Sequence, residues 1–317
     1  MSERRRRLAV LAGPVLLALG LVGCVPATVP ERAPPVVRPA AAPEPVTAPA
    51  SAESRALQSY YARVQADLLS QGLLRTDGGS GDTPFTDTML AENFIRIALF
   101  DEYRRGPAGL IAEETQSRLR RWDRPVRVQV VFGASVPPER RATDKARIGS
   151  YLGRLSSVTG HPIALAESGA NFFVHVVNED ERRALGPVIA ATLPALSPTE
   201  VAGLTNLPRS TYCIVYAVSE GGASTYSRAF AVIRAEHPDL LRLSCIHEEI
   251  AQGLGLANDS PLARPSIFND DEEFALLTRQ DELMLKILYN PALRPGMTAF
   301  EARPTVRTLA ARLMGGG

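Results

Sequence analysis

From about residue 123 onward the sequence predicts an α/β (α+β) fold, a twisted and mostly parallel sheet with packed helices, preceded by a small helical region. Two observations carry this expectation. Short apolar runs of strand length recur at 126–132, 162–166, 172–177, 212–218 and 229–233. Segments with helical periodicity lie between them, which is the interleaving that places helices on the faces of a sheet. A third observation sets off the N-terminal part: residues 55–122 show helical spacing and little strand texture.

The chain opens with a different chemistry. Arg4, Arg5, Arg6 and Arg7 precede an apolar run from Leu8 to Gly23, and Leu21-Val22-Gly23-Cys24 closes it. A basic start, a short apolar stretch and small residues before a cysteine are the marks of a cleaved export signal. The run is 16 residues long, short of the roughly 20 that a spanning helix needs. Pro14 and Gly20 weaken the alternative, an uncleaved anchor helix. The Leu-x-Gly-Cys ending resembles the box cut by lipoprotein signal peptidase. That resemblance implies a signal peptide over 1–23, acylation of Cys24 and, with Val25 next, an outer-membrane anchor facing the periplasm. More than one acyl chain gives stable anchoring. Residues 24–54 are dominated by Pro, Ala, Val and Thr, cannot build a core, and read as an extended tether.

Composition narrows the partners. The chain is 45 % hydrophobic and 22 % charged with a net charge of +1, so no basic excess argues for nucleic acid. Besides Cys24 there are Cys213 and Cys245. In an oxidising compartment the expectation is a disulfide between them, the alternative being two buried thiols.

Within 55–122, Ala56, Leu57, Tyr60, Tyr61, Val64 and Leu68 mark one helix, and Met89, Phe94, Ile95, Ile97, Ala98 and Phe100 a second. The Gly-rich stretch Asp77–Asp82 between them lacks the lysine of a phosphate loop and reads as a linker. Trp122 is expected to pack where this region meets the next. In the 123–317 domain a helix spans 138–158 and stops at Gly160, and another lies near 180–192. Thr298 with Glu301 forms a capping box, although Pro304 offers a second first turn for the last helix.

The segment with chemical potential begins at Pro238-Asp239 and is stopped by Gly255. Leu243, Ile246, Ile250 and Leu254 share one helical face, Glu248 and Gln252 the opposite one, and the apolar circumference predicts burial. Buried carboxylates need partners. The competing reading is an exposed acidic face. His247 lies nearer the apolar face and reads as a core histidine. Asp270-Asp271-Glu272-Glu273 lacks the spacing of a calcium loop and reads as solvated.

Glu248-Glu249-Ile-Ala-Gln252-Gly-Leu-Gly255-Leu-Ala-Asn258-Asp259 resembles the metzincin zinc-protease signature HExxHxxGxxH. Carried over by position, the resemblance implies Glu249 as the general base, Gly255 as the turn glycine, and Glu248, Gln252 and Asn258 at the three ligand positions. None of the three is histidine. Ser266-Ile267-Phe268-Asn269 stands where that family has its Met-turn, with Phe268 in the place of the methionine, and 278–289 resembles its closing helix. The chain is also similar to a family of uncharacterised bacterial proteins known as a domain of unknown function, through Phe94–Tyr103, Glu248–Asp259 and Leu288–Met297.

The expectation is a metzincin-like domain that has lost zinc and acts in binding or scaffolding in the cell envelope. Its ligand would be a peptide, a protein or a cell-wall component, with no cofactor and no metal. The alternative is a divergent metallopeptidase or hydrolase using Glu249.

Overall fold

The computed structural model describes residues 49–79, 81–106, 109–269 and 271–315, with no side-chain description for 102–113. The leader, Cys24 and nearly all of the tether therefore lie outside the described residues. Among the described residues no helix is long and apolar enough to cross a membrane.

Helix α1 spans Ala52–Ser70 and is capped by the Ser51 hydroxyl; α2 spans Asp87–Ala98 and is capped by Thr86. Strands β1 (Phe100–Gly106) and β2 (Gly109–Gln116) then form an antiparallel hairpin. This corrects the reading of 55–122 as helical throughout. The signal in the sequence was the turn-forming residue types Gly106-Pro107-Ala108-Gly109, flanked by the β-forming types Tyr103 and Ile111.

Strand β3 (Val126–Phe132) leads into α3 (Pro138–Thr159), which ends as expected at Gly160 in the left-handed conformation, φ 67°. Strands β4 (Ile163–Leu165) and β5 (Phe172–Val177) follow. The single helix expected near 180–192 is two, α4 (Glu179–Arg183) and α5 (Gly186–Thr192), because Pro187 lacks the N–H that would bond back to Arg183 and sits in the first turn of the new helix. A short α6 (Pro198–Thr205), closed by a Ser197–Glu200 capping box, precedes β6 (Cys213–Ser219) and β7 (Tyr226–Arg234). The chain finishes with α7 (Asp239–Leu254), α8 (Arg279–Leu288) and α9 (Ala299–Leu313). Thr298 and Glu301 do make the expected capping box, and Pro304 lies inside α9 rather than at its start.

Among the described residues the main sheet has five strands in the order β4-β3-β5-β7-β6; β6 is antiparallel to β7 and the other pairs are parallel. Alternation along β7 sorts the two cores. Ala229, Ala231 and Ile233 face the larger one, shared with α2, α3, α7, α8 and α9, while Phe230 and Val232 face a smaller one closed by Ile189, Leu193 and Leu204. Helices thus cover both faces of a sheet whose central strands are buried. Residues Thr47–Gly317 form one compact unit.

Trp122 fills the junction expected of it. Its ring stacks on Phe172, and Nε1 donates to the Gly253 carbonyl at 2.8 Å. Gly253 has to be small, because a Cβ there would lie 2.5 Å from the Phe172 ring.

Candidate functional site

Helix α7 runs beside the edge strand β6, and the two are joined by a Cys213–Cys245 disulfide with the Cα atoms 5.8 Å apart. Cys245 is one turn before Glu248 and Glu249, so the bond staples the sheet edge next to the acidic turn of the helix. Between these elements opens a cleft of about 720 Å³. Consecutive residues from Ser210 to Ala217 form one wall, Glu248, Glu249 and Gln252 the other, and Asp259, Ile267 and Glu272 close the end.

Gly255 ends α7 with φ 127°, and a Cβ at that position would lie 2.4 Å from the Arg120 carbonyl oxygen. Two constraints therefore demand glycine there. The chain turns back, and the residues after the turn part company. Asn258 points away from the cleft: its amide donates to the Arg96 carbonyl at 2.9 Å and to Glu114 at 3.3 Å, and its backbone N–H donates to Ile97. Asp259 turns inward, and both its carboxylate oxygens accept from Gln252 Nε2, at 3.0 and 3.2 Å. The polar group on the cleft side is thus Glu248, Glu249, Gln252 and Asp259. Asn258 ties the turn to α2.

The floor is held by one carboxyl. Asp281, in the capping box of α8, accepts from Thr278 N–H at 2.8 Å, Ser266 Oγ at 2.6 Å and Ile267 N–H at 3.1 Å. Burial pushes its pKa up to about 6, against the pull of these hydrogen bonds. Phe268, at the Met-turn position of the resemblance, is fully buried in the core. Burial also raises the phenols of Tyr212 and Tyr226, both in the cleft lining.

The histidines lie elsewhere. His247 stacks on Tyr151 and accepts the Leu277 N–H at Nδ1, 3.3 Å away; burial lowers its pKa to about 3. It is a core histidine. No histidine is among the described residues lining the cleft. The acidic run is not simply solvated. Glu273 pairs with Arg264 and Arg75, while Glu272, at φ 56°, lines the cleft.

Among the described residues the ligand-type atoms of Cys213, Glu248 and Glu249 lie within 4.8 Å of one another. Cys213 is in the disulfide and offers no thiolate, so its 3.9 Å approach to Glu248 Oε2 is a contact without a proton to share. With carboxylates, one amide already bonded to Asp259, and the third position turned away, these donors do not fit zinc, which takes imidazole and thiolate.

Asp259 had no role assigned from the sequence, Glu272 read as part of a solvated run, and the strand at 212–218 was expected but not as a wall of the site. Asp259 adjoins Asn258, which had such a role, and the turn geometry alone decides which of the two neighbours faces inward.

Fold and site together define a mixed α/β protein with a cleft between a sheet edge and a buried helix, whose described lining includes Glu248, Glu249, Gln252 and Asp259. Residues 87–308 match the family described as "Protein of unknown function (DUF2927)", and the chain belongs to that family. No curated protein and no solved structure matches it.

Proposed function

We propose that this is a lipid-anchored cell-envelope protein whose cleft binds an extended polypeptide segment without zinc. One observation carries the reading: a sheet-edge strand lines the cleft along its length, opposite the acidic turn of α7. An edge strand presents backbone donors and acceptors to which an extended peptide can add as a further strand. The protease-like part of the reading draws support from the cleft-side placement of Glu248, Glu249 and Gln252 and from the Gly255 turn. The anchor draws support from the Arg4–Arg7 leader and the Leu21–Cys24 box.

Hydrogen exchange across the amides of β6, measured with and without a library of extended peptides, tests the cleft. Protection of Cys213–Ser219 on binding is the expected result, and binding that leaves those amides unchanged sinks the reading. Cys24→Ser should release the protein from membranes; unchanged membrane fractionation of that variant would remove the anchor.

A second reading, hydrolysis with Glu249 as general base, is favoured by the position of Glu249, nearly buried in the cleft wall beside Glu248. It requires that Glu249→Gln abolish a measured peptidase activity while the melting temperature stays within a few degrees of the parent.

A further inference from the structure

A second pocket, of about 450 Å³, opens between α1, α4 and the loop that enters β6, and it shares no lining residue with the cleft. Its charged lining is Arg182, Arg183, Arg209 and Arg234 against Glu53 and Glu179. Four guanidinium groups face two carboxylates, so two positive charges are left over. Asp180 and Glu236 adjoin the cluster without lining the open volume: Asp180 accepts the Ser51 N–H at 3.0 Å, and Glu236 accepts the Ser54 hydroxyl and the Glu179 N–H, both at 2.7 Å. Arg182, Arg234 and Glu179 are buried and form the floor, while Arg183 and Arg209 are exposed at the mouth. We propose that this pocket binds a phosphoryl group, with Arg183 and Arg209 as its first contacts above the cationic floor.

Two observations point to an anion from outside the chain. The Arg182 side chain is 1 % exposed, yet its Nε has no hydrogen-bond partner among the described residues, and a charged donor left so is costly. Arg209 makes no ion pair among the described residues; its guanidinium lies over the Tyr60 ring, 4.8 Å from the centroid, which holds it without neutralising it. The backbone that carries Arg209 is itself fixed, because the Arg209 carbonyl accepts from the Tyr61 hydroxyl at 2.9 Å and the Leu207 and Pro208 carbonyls accept from Arg234. Arg183 is braced as well: Nε donates to Glu179 at 3.0 Å and Nη2 to Glu53 at 2.6 Å, which leaves its Nη1 donors to an outside acceptor. Guanidinium forks set before the ligand arrives suit the several oxygens of a phosphate. A phosphomonoester also carries about −1.5 to −2 charges at neutral pH, which matches the surplus in the lining. Such a group reaches the pocket either on a soluble metabolite or on a lipid headgroup.

The test uses the chain from residue 24 with Cys24→Ser, so that no acyl group contributes. It is titrated by calorimetry with glycerol phosphate and with succinate, and sedimented with phosphatidylcholine vesicles that contain or lack phosphatidic acid. A phosphomonoester should bind more tightly than succinate, and added salt should weaken it. R183Q and R209Q should each weaken it at least about tenfold, as loss of a charge-assisted hydrogen bond implies. E53Q, which removes a carboxylate from the mouth, should tighten it, and R228Q, which removes an exposed arginine outside the pocket, should leave it unchanged. Melting curves confirm that each variant is folded; R209Q carries the test should R183Q unfold, because Arg209 is in no ion pair among the described residues. Binding of glycerol phosphate assigns a soluble ligand and binding of phosphatidic acid vesicles alone a headgroup, and either outcome supports the site. No binding of either probe overturns it, as does binding that R183Q and R209Q leave unchanged, or succinate held as tightly as the phosphomonoester. The peptide reading of the cleft is untouched by any of these results.

Discussion

Two acidic regions of this protein set their carboxylates in different surroundings, one in the core and one along a cleft. At the start of α4, Glu179 is buried against Arg182 at 2.5 Å, Arg234 at 2.8 Å and Arg183 at 3.0 Å. Burial pushes its carboxyl up, and the guanidinium charges of Arg182 and Arg234 more than offset this, leaving it below the ordinary range. Arg234 is itself held by the carbonyls of Leu207, Pro208 and Thr211, the loop that enters β6. In the cleft, about one turn beyond the disulfide on α7, acidic side chains outnumber basic ones among the described residues that line the open volume. Charge compensated inside the chain fixes the fold. Carboxylates that line open volume stand where a ligand can reach them.

The contrast breaks first at Glu179. Glu179→Ala leaves buried guanidinium groups without their carboxylate and should cost about 3–5 kcal/mol, read from denaturant melts. A loss under about 1 kcal/mol would show that this cluster is not the structural one. Next in size is the staple. Removing both sulfurs of Cys213–Cys245, whose positions are 32 apart, should cost about 3–4 kcal/mol on the loop-entropy account. It should also weaken peptide binding, because the cleft wall loses its tie to α7.

Acid should act on stability through the buried histidines. His175 and His247 have pKa values lowered by burial to about 4 and about 3, from an ordinary 6.5. Below pH 6.5 the unfolded chain takes up protons that the folded one refuses, so their contribution is present above that pH and is lost as pH falls. Asp281 works in the other sense: raised from 3.8 to about 6, its contribution is complete below 3.8 and is lost as pH rises through 6. The histidines outweigh it. Stability should fall by on the order of 3 kcal/mol between pH 6.5 and 4, measured by urea melts at each pH. A flat profile would mean that the rings are not held neutral.

Two smaller effects complete the comparison. Thr298→Ala, which opens the capping box of α9, should cost about 1 kcal/mol. Glu248→Gln should change stability by less than about 1 kcal/mol. A larger loss there would move Glu248 from the recognising region to the structural one.

Much of this was legible in the sequence. The strands at Val126–Phe132 and Phe172–Val177, the stop at Gly160 and the buried helix ending before Gly255 followed from periodicity and from residues with one structural use. The disulfide between Cys213 and Cys245 was also expected, and it forms. The hairpin at Phe100–Gln116 was missed because polar residues such as Asp101, Glu102, Arg104 and Arg105 blur its alternation, leaving the Gly-Pro turn as its main signal. Of the motif residues, Glu248, Glu249 and Gln252 come together because helical spacing is fixed at 3.6 residues per turn. Asn258 and Asp259 follow a turn, where one dihedral decides which side chain enters the cleft, and residue spacing carries no information about that angle. The strand at β6 was expected and pairs with the next strand, β7, but its place beside α7, which makes it a cleft wall, depends on how the sheet edge and the helix pack, which no local pattern encodes.

Asp281 is one acceptor serving two pieces of the chain, the first turn of α8 through Thr278 and the cleft floor through Ser266 and Ile267. Amide hydrogens that share a buried acceptor lose it together when that carboxylate moves, so fraying of α8 that carries Asp281 away also releases the Ile267 amide. The Thr278 and Ile267 amides should therefore exchange with solvent at matched opening free energies. A ligand seated against Ile267 would then slow the exchange of a helix it never touches.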